Sequence, residues 1–208
     1  MALVKYNNNS ISAVTATGLA TGSLVPIKTL TASSSGTLSF VHGTDGVVLD
    51  STYPIYRFEY INMHPANDGV SFQVNFRDGG TAYDAVKTTT FFYAYHGEAG
   101  SPAGLGYEAG KDLAQSTAFQ SLTNATGNDN DQCCAGELTL YNPSSTVFVK
   151  HFIARTNDYS GYPISVDNNM AGYCNTTTAI DGVQFKFVSG NIDSGKIKLY
   201  GIKDSWWA

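Results

Sequence analysis

Hydrophobic and polar residues alternate with a period of two along most of this chain. Residues 70–76 give the clearest example, because Val and Phe alternate there with Ser, Gln and Asn. Residues 55–61 alternate in a similar way, with Tyr, Phe and Tyr on one face. Successive side chains of a β-strand point to opposite faces, so these patterns predict strands that bury one face.

Two further segments predict interior strands. Residues 89–95 are a run of Thr and aromatic residues with high β propensity. Residues 147–153 are almost continuously β-branched or aromatic, which is typical of a strand buried on both faces.

The carboxyl end predicts a pair of strands. Residues 183–187 alternate Val and Phe with Gln and Lys, the turn SGNIDSG follows, and a strand pattern resumes at residues 196–202. We expect a β-hairpin there.

A helical pattern is almost absent. Residues 112–122 could form one short helix of at most three turns, and Gly-rich and Asn-rich loops flank them at residues 96–110 and 123–132. No linker divides the chain, so we expect one domain over residues 1–208, an antiparallel β-sandwich. Residues 1–20 are a candidate extended assembly arm, and residues 203–208 a terminal tail.

Composition narrows the functional classes. The chain has 208 residues, of which 42% are hydrophobic and 14% charged, whereas an average domain carries roughly 25% charged residues. Ser, Thr, Asn and Gly must therefore cover its surface, as in β-rich proteins that work outside cells or in large assemblies. The net charge is -5 and the basic residues are scattered, so we expect no nucleic-acid and no membrane partner.

The compartment follows from the amino terminus and the cysteines. The opening sequence MALVKYNNNSISAV lacks a long apolar stretch and a small-residue cleavage site, so we expect no secretory signal and assembly in the cytoplasm. Three cysteines, of which Cys133 and Cys134 are adjacent, make a poor disulfide framework and a poor zinc site. They are expected to be free thiols.

The sequence contains no complete motif for catalysis or cofactor binding. Residues 190–197, GNIDSGKI, match part of a phosphate-binding loop, but Ile replaces the required Ser or Thr, and a strand pattern follows where a helix is needed. The chain has no G-x-S-x-G motif, and no two of its four histidines have metal-ligand spacing; they are His42, His64, His96 and His151. We expect no enzyme, no catalytic residue and no cofactor, although a triad assembled by the fold stays an alternative.

An oxygen-rich cluster at residues 128–131, Asn-Asp-Asn-Asp, could ligate Ca²⁺, but it lacks the Gly and Glu positions of an EF-hand. A solvated turn is the simpler interpretation, and we expect no metal site. The glycosylation sequons at Asn8, Asn124 and Asn175 are interpreted as chance in an Asn- and Thr-rich chain.

Aromatic residues are the remaining candidates for contacts. Tyr107, Tyr159 and Tyr162 are candidate exposed-loop residues that could stack on sugar rings, or they could serve as core and interface anchors. The adjacent Trp206 and Trp207 would form a sticky patch unless they dock on this fold or on a partner. We predict an interface between subunits that involves Trp206, Trp207, Tyr6 and Tyr200.

Four segments carry a family resemblance: ALVKYNNNSISAVTA, TTTFFYAYHGEA, GKDLAQSTAFQSL and AIDGVQFKFVSGNIDSGKIKLYGI. Through most of its length the chain resembles the small structural proteins of marine tailed bacteriophages. The resemblance implies a jelly-roll-like β-domain located on the virion, as a capsid decoration protein or as a tail or fibre component. Proteins of that family usually end after a Gly-Ile dipeptide, which is Gly201-Ile202 here, and this chain departs from them by its Trp206-Trp207 tail.

Residues and resemblance together predict a non-enzymatic virion protein. The first expectation is a capsid decoration (cement) protein that forms a homotrimer or similar ring and binds the major capsid protein. The alternative is a tail-fibre head that binds a host receptor or a host-surface glycan. A free carbohydrate-binding module or a glycan-active enzyme is a more remote alternative.

Overall fold

A computed structural model describes residues 23–204 of the chain. Within this range the chain forms twelve β-strands and no helix, and so no helix that could cross a membrane. The strands are β1 (Leu24–Thr31), β2 (Leu38–Val41), β3 (Ile55–Pro65), β4 (Phe72–Arg77), β5 (Lys87–Gly97), β6 (Ala103–Tyr107), β7 (Gln120–Ser121), β8 (Cys134–Tyr141), β9 (Lys150–Tyr159), β10 (Ile164–Cys174), β11 (Gly182–Phe187) and β12 (Ile192–Ile202). Three of the residues predicted to form a subunit interface lie outside the described range: Tyr6, Trp206 and Trp207. The predicted assembly arm, residues 1–20, lies outside it too.

The strands form two antiparallel sheets. The large sheet has the order β1-β12-β3-β8-β9-β10-β5-β6, and the small sheet has the order β2-β11-β4-β7. Consecutive strands mostly lie in different sheets, so the chain repeatedly crosses from one layer to the other. This wrapping is jelly-roll-like, and the predicted antiparallel β-sandwich is confirmed.

The core lies between the two sheets and is dominated by aromatic rings. On β3, the predicted alternation buries Tyr56, Phe58 and Tyr60. The ring of Phe185 from the small sheet lies 5.6 Å from that of Phe58, and the ring of Phe72 lies 5.4 Å from that of Tyr60. Burying each such side chain contributes on the order of 1.5–3 kcal/mol, so these inward faces hold the two sheets together.

The predicted hairpin of residues 183–202 is wrong. β11 pairs with β2 and β4 in the small sheet, whereas β12 pairs with β1 and β3 in the large sheet. The connection between them turns around the edge of the core, with Gly190 at a φ of 73°. Both strands direct hydrophobic residues at the same core from opposite sides, and a two-residue period cannot distinguish this arrangement from a hairpin.

Two other predictions need correction. Residues 147–153 are not a strand buried on both faces, because β9 begins at Lys150, and Val147 and Phe148 are each 70% exposed. Residues 112–122 are not helical. The backbone of Ser116 exchanges two hydrogen bonds with Lys87, at 2.8 and 2.9 Å, and the carbonyl of Leu113 accepts one from Thr89. These bonds to an otherwise open part of β5 replace the bonds of a helix.

Candidate functional site

The large sheet has one face that the small sheet does not cover, which we call the outer face. On β9 the side chains of His151, Ile153, Arg155 and Asn157 are exposed, and each alternates with a buried residue. Directly opposite residues of an antiparallel pair point to the same face. The register of β8, β9, β10 and β5 therefore continues this exposed face across the sheet.

Apolar side chains are concentrated at one edge of the outer face. Phe92 on β5 lies opposite Tyr107 on β6, and Leu105 lies opposite Ala94. Leu105 is 75% exposed, Tyr107 59% and Phe92 46%. We call these three residues the edge patch. Since β6 is the last strand of its sheet, the edge patch combines exposed apolar area with an open strand edge, two features that favour association.

A polar depression lies near the middle of the outer face. It is shallow and open to solvent, has a volume of about 440 Å³, and is lined by Ala135, Gly136, Glu137, Arg155, Asn157 and Asp167. Arg155 donates two hydrogen bonds to Asp167, each of 2.9 Å, and this pairing holds the pKa of Asp167 below its usual value. A Cβ at Gly136 would point inward and meet the Arg155 carbonyl at 2.3 Å and the Tyr60 ring at 3.0 Å, so glycine allows β8 and β9 to approach closely beneath the depression. These amide, guanidinium and carboxylate groups could bond the hydroxyls of a polar ligand.

The structure separates the tyrosines that the sequence singled out. Tyr162 is exposed in the turn between β9 and β10, and Tyr159 is half-buried at the end of β9. Burial and a hydrogen bond with Glu98 raise the pKa of Tyr159. Tyr107 lies in the edge patch, where its hydroxyl donates to Asp112 at 2.5 Å. Tyr200 is half-buried on β12, opposite Pro26 and Arg57, near the other edge of the large sheet. They do not form one site.

Residues 128–131 form a turn within the described structure. Asn128 donates to the Ala66 carbonyl at 3.1 Å, and the Asp129 amide donates to Gln132 at 3.0 Å. Residues 23–204 hold no group of three or more His, Cys, Asp or Glu side chains that could bind a metal ion. All three cysteines are free thiols, and burial raises the pKa of Cys174 to about 12.

A buried carboxylate, that of Asp158, lies inside the molecule and is influenced by the charge of the half-buried Lys111. Asp158 on β9 is buried and accepts a hydrogen bond from the Asn168 amide. Burial raises the pKa of Asp158 to about 6 and outweighs the favourable effects of Asn168, the Ala125 backbone and the charge of Lys111. Lys111 donates to Ser71 at 2.5 Å and to the Asn124 carbonyl at 3.0 Å, and burial lowers its pKa. The buried carboxylate of Asp158 makes the stability depend on pH.

Sequence reasoning missed the outer face as a site. Phe92 and Leu105 were assigned to an interior strand and a loop, and only the strand register shows that they are neighbours. Val147 and Phe148 were assigned to a buried strand, although the Asn-Pro-Ser-Ser sequence at residues 142–145 was a signal for a loop there. Comparison with models of protein families, with curated proteins and with solved structures found no match for this chain.

Proposed function

We propose that this chain is a non-enzymatic structural protein of a bacteriophage particle, a capsid decoration protein assembled in the host cytoplasm. Its outer face binds the shell, and its edge patch binds another copy of the chain. The observation that carries the proposal is the extent of the outer face. Eight strands at a spacing of about 4.8 Å span about 34 Å, and β9 alone has ten residues.

The size of the outer face fits a stable contact with a protein shell. Strands of ten residues are about 34 Å long, so the face covers on the order of 1,000 Å². A standard stable interface needs about 800 Å² from each partner. Exposed Ile153 and Phe92 alternate on this face with Arg155 and Asn169, and such a mixture of apolar and polar side chains is typical of non-obligate interfaces.

The edge patch supports assembly of the chain with itself. An exposed edge strand that carries apolar side chains pairs readily with another chain, and identical subunits usually assemble with closed point-group symmetry. We propose a ring of three copies, with β6 of each copy against its neighbour. The virion role is further supported by the segments that resemble phage structural proteins. They include residues 88–99, which contain most of β5, and residues 179–202, which contain β11 and β12.

The self-association is tested by replacing the edge patch. The variant Leu105→Ser with Phe92→Ser is expected to be monomeric in analytical ultracentrifugation, whereas the wild-type chain sediments as an oligomer. Val188→Ser is the matched control, because Val188 is exposed but lies outside the large sheet. A wild-type chain that is monomeric at all concentrations, or a double variant that keeps the wild-type oligomer, would contradict this part of the proposal.

The decoration role is tested by counting copies. Quantitative mass spectrometry of purified particles of the phage that encodes the chain is expected to find hundreds of copies per particle. A few copies per particle would point instead to a tail or a fibre. Absence from the particle would overturn the virion proposal altogether.

The polar depression favours a second candidate, a fibre head that binds a host-surface glycan. Arg155, Asn157 and Asp167 present donors and acceptors within a few ångströms of one another, which suits sugar hydroxyls. This alternative predicts saturable binding on a glycan array that Arg155→Ala removes. Lys198→Ala is the control on the same face but outside the depression. Binding unaffected by Arg155→Ala, or no binding, would reject the depression as a glycan site.

A further inference from the structure

A buried lysine side chain contacts a buried asparagine side chain in this fold. Lys87, the first residue of β5, is 0% exposed. Its Nζ donates to Asn75 Oδ1 at 2.5 Å and to the Ala85 carbonyl at 2.6 Å. Both acceptors are neutral, and among residues 23–204 no carboxylate oxygen lies within 4.0 Å of Nζ. The ammonium form of Lys87 is therefore buried without an ion pair.

Burial of this kind favours the neutral amine. Desolvation lowers the pKa of Lys87 to about 8, although electrostatic interactions with Cys174, Asp78 and Asp84 oppose the change. At neutral pH about one molecule in ten then carries an uncharged Nζ with a free electron pair. An uncharged lysine is a nucleophile, and here the group nearest to it is a carboxamide.

The carboxamide of Asn75 is held in place beside Nζ by its own hydrogen bonds. It is buried, and its Nδ2 donates to the Thr117 carbonyl at 3.0 Å. Its Oδ1 also accepts a hydrogen bond from the Phe76 backbone amide at 2.9 Å. Because a C=O bond is about 1.2 Å long, Nζ lies within about 3.7 Å of Cγ. A small movement of Nζ from Oδ1 to the face of the carboxamide would bring it to the roughly 3–3.5 Å of reacting atoms poised for attack.

We propose that Lys87 and Asn75 are joined by an intramolecular isopeptide bond. The uncharged Nζ adds to Cγ, and the C=O electron pair moves to Oδ1, where the Phe76 amide stabilises the negative charge. A proton passes from Nζ to Nδ2, the Cγ–Nδ2 bond breaks, and ammonia leaves as the C=O bond re-forms. The reaction needs no oxidant and no cofactor. Its product is a neutral amide in place of a buried cation.

The bond would link the two layers of the sandwich, because Asn75 belongs to the small sheet and Lys87 to the large sheet. A second buried lysine provides an internal comparison. Lys150 is equally inaccessible, and Lys150 and Lys87 are both register partners of Cys174. Its Nζ donates to the backbone carbonyl of Thr176 at 3.0 Å, however, and not to a side-chain amide. Lys150 therefore has no leaving group to displace.

The test is the intact mass of the purified full-length chain. The proposal expects a mass lower than the sequence mass by one ammonia, about 17 Da, and a branched peptide in which residues 75 and 87 are joined. Lys87→Met and Asn75→Ala are each expected to restore the full mass, whereas Lys150→Met keeps the deficit. An unmodified wild-type mass overturns the proposal even if every variant fails to fold.

A competing source of the same mass loss is separated by these variants. Any asparagine can lose ammonia by cyclising onto its own backbone, and that loss does not depend on a lysine. A deficit that persists in Lys87→Met, or that maps to a linear peptide, therefore overturns the isopeptide bond. A deficit that disappears in Lys87→Met and persists in Lys150→Met, with the branched peptide present, supports it.

Discussion

Replacing Asp158 by asparagine is expected to stabilise the protein at neutral pH. Asp158 is buried on β9, and its pKa rises from 3.8 to about 6 on folding. The folded chain thus binds a proton at this group more tightly than the unfolded chain does. The contribution of Asp158 to stability is fully present below pH 3.8 and is lost as the pH rises through about 6. The side chain of the Asp158→Asn variant would stay neutral at every pH.

The magnitude follows from the two pKa values. Each pKa unit corresponds to about 1.4 kcal/mol, so ionisation costs the wild-type chain up to about 3 kcal/mol above pH 7. The Asn168 amide can still donate to the oxygen of the new side chain, so the variant keeps this contact. The gain in a domain of this size is equivalent to about 6–12 °C in melting temperature.

The assay is urea denaturation of the wild-type and variant chains at pH 4.5 and pH 7.5. The stability difference between them is expected to favour Asp158→Asn by about 1 kcal/mol at pH 4.5 and by about 3 kcal/mol at pH 7.5. Asp167→Asn is the control, because Asp167 is paired with Arg155 and its pKa is lowered; this change should weaken the fold slightly at pH 7.5. If Asp158→Asn is less stable than wild type at pH 7.5, and equally so at pH 4.5, the reasoning about buried charge is refuted.

Further predictions concern the core and the close approach of β8 and β9. Phe185→Ala removes a ring that contacts four other aromatic rings and should lower the free energy of unfolding by about 3–5 kcal/mol. The control is Phe148→Ala at an exposed position, which should change the free energy of unfolding little. Equal effects of the two variants in denaturant titrations would argue against this core. Gly136→Ala forces a carbon against the Arg155 carbonyl and should cost about 1–3 kcal/mol. Ala135→Ser is its control, and an unchanged melting temperature for Gly136→Ala would disprove this close approach.

The sequence predicts which side chains of a strand point to the core, because successive residues of a strand point to opposite faces of the sheet. Alternation in β3 and β4 correctly identified Tyr56, Phe58, Phe72 and Val74 as inward residues. The partners of a strand were not readable, as β11 and β12 show. A strand in either layer of a sandwich gives the same period, since both layers face the same core.

The candidate site was less predictable than the fold. Phe92, Leu105 and Val147 have the residue types of a core, yet the structure exposes them. A hydrophobic side chain favours burial, but its residue type does not distinguish burial within its own fold from burial against a partner. The contact between Lys87 and Asn75 was equally hidden, because it depends on two side chains from different sheets.

The central claim, that the outer face of the large sheet binds a phage shell, is tested most directly by imaging. A reconstruction of the particle of the phage that encodes this chain, at a resolution that separates strands, would give the position and orientation of the chain. The account predicts many copies on the capsid, each with the exposed side chains of β8, β9 and β10 against the shell and β6 beside a neighbouring copy. Copies whose outer face points to solvent, or a particle without the chain, would contradict it.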